Sequence, residues 1–124
     1  MLGYTPAIYF LDAHWGERWP LARELQAIRS GIAVIHDFDI GHERFAYDEY
    51  DGVLCSPDYL AQIPELSEVF FTPDPAAADY PLPCLQVGRR AGVGIVPIGV
   101  DPGPLLDNRH LTSHSLQTVR AGSS

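Results

Sequence analysis

The chain has 124 residues, 46% of them hydrophobic and 19% charged, with a formal net charge of −8. That size and balance exclude a disordered polymer and a string of several domains, and allow one domain that buries about two thirds of the surface its unfolded chain exposes. The acidity argues against nucleic acid or an anionic membrane as a partner, because Arg89 and Arg90 are the one adjacent pair of basic residues and two charges do not make a patch.

No stretch approaches the ~20 apolar residues of a membrane span. The start "MLGYTPA" has no basic segment leading into an apolar one, so a cytoplasmic protein is expected. Cys55 and Cys84 lack metal-ligand spacing and are expected to be unpaired thiols. All eight basic residues are Arg, a usage that fits a GC-rich genome and carries no functional reading.

In chain order, "PAIYFL" is a continuous apolar run suited to a strand over about 7–12 covered on both faces. "PLARELQAIRSG" places Leu21, Leu25 and Ile28 on one side and Arg23, Glu24, Gln26 and Arg29 on the other, which predicts an amphipathic helix over about 19–30. Pro20 suits its first turn, and Gly31 its left-handed end. "IAVIHDFD" is a second buried strand, 32–39, so the three elements form a βαβ unit with parallel strands and a right-handed crossover.

"IGHERFAYDEYDG" has neither period and reads as a long loop. "SPDYLAQI" opens with a capping Ser56 and Pro57 at the first helical position, giving a short helix that ends near Pro64. "SEVFF" gives a strand near 67–71, "TPDPAAADYPLP" is irregular, and "AGVGIVPIG" gives a last strand over 91–99. Pro97 argues that this strand finishes or lies at an edge there. Residues 101–124 lose the apolar period and are expected to be an irregular tail behind a domain spanning 1–100.

Open parallel sheets bind ligands outside the carboxyl ends of their strands. Asp12 ends the first strand, and His36, Asp37 and Asp39 end the second. Neighbouring strands lie about 4.8 Å apart, so Asp12 and Asp37 could share a divalent cation, Mg²⁺ or, with an imidazole added, Mn²⁺ or Zn²⁺. The competing reading is that these acids bond to backbone N–H groups of the following turns. His14 is either a solvated loop residue or a ligand, and Trp15 and Trp19 are either packing residues or a pocket wall. Phe45, Tyr47 and Tyr50 are either a lid or a staple for their loop.

Taken together and in order, "YFLDAHW", "PLARELQAI", "AVIHDFD", "YDEYDG", "DYLAQIPELSEVFFTP" and "GVGIVP" resemble the C-terminal half of a bacterial group of class I S-adenosylmethionine-dependent methyltransferases, related to macrocin-type sugar O-methyltransferases. The resemblance covers residues 7 to about 98. It implies an α/β fold: part of a Rossmann-like methyltransferase sheet, with a parallel strand-helix-strand unit matching the family's fourth and fifth strands and then an antiparallel hairpin. It implies that Asp12 and Asp37 hold a divalent cation; beside them His14 or His36 has the intrinsic pKa to remove a substrate hydroxyl proton, and Trp15, Tyr47 and Tyr50, as pocket wall or lid, are the candidate substrate contacts. The position before Asp37 is usually acidic in that family; here it is His36, which removes a charge from the cation site.

The family's glycine-rich cofactor turn and ribose-binding acid belong to its first two strands, whereas this chain is expected to begin just before the fourth. "VGRRAGVG" opens no helix and does not replace that turn. S-adenosylmethionine is therefore expected to bind only if the missing half is supplied. Without the earlier strands, the apolar edge at 7–12 is left uncovered, which predicts a homodimer formed by pairing those edges or packing the open faces. Two functions follow: a piece of a metal-dependent O-methyltransferase that is inactive alone, or a non-catalytic, homo-oligomeric binding or scaffold module.

Overall fold

The structure is a computed structural model; it describes residues 7–11, 21–41, 45–47, 49–50, 53–63, 66, 69–74 and 90–122. In chain order the elements are β1 (Ala7–Leu11), α1 (Leu21–Ala27), β2 (Gly31–His36), β3 (Phe45–Ala46), β4 (Glu49–Tyr50), β5 (Val53–Leu54), α2 (Pro57–Ala61), β6 (Val69–Pro73), β7 (Arg90–Ala91), β8 (Val93–Ile98), α3 (Gly103–Leu106), β9 (Leu111–Ser115) and α4 (Leu116–Gly122). The fold is α/β, and its main sheet has five strands in the order β1-β2-β8-β6-β9.

β1 and β2 are parallel, in register from Ala7↔Gly31 to Leu11↔Ile35. β8 lies antiparallel to both β2 and β6, and β9 antiparallel to β6. Hence β1, β2 and β6 run one way while β8 and β9 run the other, and the carboxyl ends of β2 and β6 open on the same side of the sheet.

Because side chains alternate along a strand, the register sorts the sheet into two faces. One carries Leu11, Ala33, Ile35, Val96 and Phe70, which join Leu25 and Ile28 near α1, Leu60 and Ile63 near α2, and Leu116 at the start of α4 in one buried cluster. Each of the Leu, Ile, Val and Phe side chains among them contributes about 1.5–3 kcal/mol through its removal from water. The other face carries Ile8, Phe10, Ile32, Val34, Ile95 and Phe71. Phe71 is fully buried there, but coverage fails toward the sheet margin, where Ile8 is 72% and Phe10 62% exposed.

The helical segment is shorter than its periodicity predicts within the described residues, ending at Ala27. Gly31 does not end it; this glycine opens β2 at φ 152, where a Cβ would stand 2.5 Å from the Ala7 carbonyl oxygen. β2 stops at His36, not at 39, because Asp37 takes a positive φ of 57 and turns the chain out of the sheet. Pro97 does not mark an edge: it pairs with Ile32 inside the sheet, one residue before β8 finishes. The segment after residue 40, expected as a loop, contributes to two short ribbons, β3 with β7 and β4 with β5.

The irregular tail is corrected outright. β9 pairs with β6 along five residues, Val69↔Ser115 to Pro73↔Leu111. The preceding turn is built by Asn108, whose side-chain oxygen accepts the His110 N–H at 2.9 Å and whose carbonyl accepts the Leu111 N–H at 3.1 Å. α4 then buries Leu116 completely, and Arg120 donates to the carbonyls of Ala61 (2.9 Å) and Ile63 (3.0 Å), capping the open end of α2. The first turn of α1 is tied to α2, since the Ala22 N–H donates to the Tyr59 hydroxyl at 3.0 Å.

Candidate functional site at the carboxyl rim

The rim is built around the strap that leaves β2. After the turn at Asp37, the Phe38 N–H donates to the Gly92 carbonyl at 3.0 Å and the Asp39 N–H to the Cys55 carbonyl at 2.7 Å. The Phe38 ring is fully buried directly over Gly94, where a Cβ would come within 2.8 Å of its Cγ. Only glycine at 94 leaves room for that ring. The strap closes with an Asx turn, the Gly41 N–H donating to Asp39 Oδ1 at 2.8 Å.

Of the sequence-derived site residues, Asp12, His14 and Trp15 lie outside the described residues, as does the side chain of Tyr50. Tyr47 is exposed. His36 and Asp37 are brought together: Nδ1 and Oδ2 stand 3.0 Å apart, a charge contact when the imidazole is protonated. His36 also leans on Phe10, ring centroids 5.7 Å apart, which places it on the open face near the sheet margin. Among the described residues, no three His, Cys, Asp or Glu side chains are grouped as a metal would need. Cys55 is buried, its Sγ 3.9 Å from the His36 carbonyl oxygen.

Asp39 points to a different place. It lies with Ile40, Pro57, Phe70, Thr72 and His114 around an open cleft of about 230 Å³, on the helix-covered side of the sheet at the carboxyl ends of β2 and β6. Phe70 and His114 are cross-strand partners and stack, centroids 4.8 Å apart and planes 17° apart. The buried Thr72 hydroxyl shares a hydrogen bond of 2.8 Å with His114 Nε2. Burial holds the His114 imidazole below its ordinary value of 6.5, so it is neutral at pH 7.

Thr72 and His114 were not legible as site residues. The signal that would have found them is the alternation Thr112/His114 against Leu111/Ser113/Ser115 in "LTSHS", following the turn residues Asp107 and Asn108.

Comparison with protein-family models, curated proteins and solved structures returns no match. No helix among the described residues is long and apolar enough to cross a membrane.

Proposed function

We propose that the chain is a methyltransferase-derived α/β domain acting as a homo-oligomeric binding module, with a second copy covering the β1 margin. The observation that carries this reading is the exposure of Ile8 and Phe10 on an edge strand, next to the half-buried Ile32 and Val34 of the same face. β1 has no charged residue to discourage pairing. Both residues project from the open face, which favours face-to-face packing over extension of the sheet edge to edge. Burying them on each of two copies yields a gross gain comparable with the cost of association, so the dimer forms in a concentration-dependent way. Light scattering over a concentration series tests it: a rise to twice the single-chain mass is expected, and a single-chain mass throughout contradicts it.

The ancestry is supported by strand directions, a parallel pair followed by strands β6 and β8 that pair antiparallel, as the family resemblance implies. A second reading is cation-assisted methyl transfer, in which Asp12 and Asp37 hold Mg²⁺ or Mn²⁺ and His14 or His36 takes the proton of a substrate hydroxyl. One feature favours it: Asp37 is the first residue beyond the carboxyl end of β2 and is held at a φ that non-glycine residues seldom adopt. Calorimetry with Mg²⁺ separates the readings. Saturable Mg²⁺ binding that Asp37→Ala abolishes supports the catalytic one, and no saturable Mg²⁺ binding supports the assembly module.

A further inference from the structure

The cleft beside Asp39 is independent of the β1 margin and of the His36–Asp37 pair. Its volume of about 230 Å³ lies below the 300–1,000 Å³ of sites for drug-sized ligands, so its occupant is small, on the scale of one ring with one substituent. The walls are Ile40, Pro57 and the stacked Phe70, a lining suited to a flat apolar body. Asp39, Thr72 and His114 bring polar groups to the same cleft.

There, Asp39 supplies a carboxylate whose direction is set by the Asx turn: Oδ1 takes the Gly41 N–H, and the group retains lone pairs for further donors. Thr72 adds a hydroxyl oxygen fixed by its bond to His114. Burial disfavours the charged form of the His114 imidazole, and no arginine is among the described residues that line the cleft. Among the described residues an anion would meet the Asp39 carboxylate with no compensating cation, whereas a cation would find a charged acceptor in an acidic protein of net charge −8.

We propose that this cleft binds a small organic cation, an ammonium head seated at Asp39 and Thr72 with its apolar ring against Phe70 and Ile40. Benzylamine, benzyl alcohol and benzoate are matched probes of the charge requirement. Titration of the full chain, followed by NMR at the His114 ring and the Gly41 amide, is expected to give saturable shifts with benzylamine and about 10-fold weaker binding of the other two, as a charge-assisted hydrogen bond would give. Asp39→Asn is expected to reduce benzylamine to the affinity of benzyl alcohol. Equal or tighter binding of benzoate, no saturable shift with benzylamine, or an unchanged affinity in the variant overturns the proposal. The comparison of the three probes on the unmodified chain decides the matter even if the variant fails to fold.

Discussion

Thr72 and His114 are 42 residues apart in the chain, yet the hydroxyl of one and Nε2 of the other lie 2.8 Å apart. The β6–β9 pairing makes them diagonal neighbours, with His114 directly opposite Phe70 and Thr72 opposite Thr112. This arrangement turns a segment with no apolar period into a wall of the rim cleft, and it has a consequence for stability.

Burial lowers the His114 pKa from 6.5 in the folded state. As pH falls below 6.5, the unfolded chain takes up a proton at this site before the folded chain does. The contribution is therefore intact above the unfolded value and is lost as pH falls through the folded one. Urea unfolding at pH 7.5 and 5.5 should show a larger loss for the unmodified protein than for His114→Phe, which keeps the stacked ring. An equal loss in both would show that His114 is not buried as described.

The ordering of residues 101–122 depends on Leu116 and Arg120. Leu116→Ala should cost about 2–5 kcal/mol, as for truncation of a fully buried core side chain. Arg120→Ala removes two hydrogen bonds to the carbonyls of Ala61 and Ile63, and should cost about 1–3 kcal/mol. Chemical denaturation measures both. If neither variant shifts the midpoint, the tail is not docked.

Gly94 should not tolerate alanine. A Cβ there would stand 2.8 Å from Phe38 Cγ, and overpacking of this kind costs about 1–3 kcal/mol. The Phe38→Leu change should recover part of that loss, so the double variant is expected to be more stable than the sum of the single effects predicts. Strict additivity in denaturant unfolding would mean that the two residues are not in contact.

The apolar runs made the sheet's first half readable. "PAIYFL" and "IAVIHDFD" contain β-branched and aromatic residues in strand-length blocks, and they pair in parallel as a βαβ unit requires. The end of β2 was less legible, because it depends on one backbone dihedral at Asp37 and on the Phe38–Gly94 contact, neither of which leaves a local pattern. β9 was hidden for another reason. In "LTSHS" only Thr112 belongs to the residues that strands favour, and the segment has no apolar alternation to display; its order comes from pairing with β6, a long-range contact. The cation role of Asp12 and Asp37 is read from adjacent strand ends and from family resemblance, and the proton-transfer role of His14 or His36 from the intrinsic pKa of imidazole; of these groups, His36 and Asp37 lie in contact.

The exposed face of β1 is the feature on which the assembly reading stands, and Phe10→Asp addresses it without touching the core cluster. Sedimentation equilibrium of the unmodified chain and this variant, at matched concentrations, is the most direct test. A dimer is expected for the unmodified chain and a folded single chain for Phe10→Asp. A unmodified chain that stays single at every concentration, or a variant that dimerises as well as its parent, would contradict it.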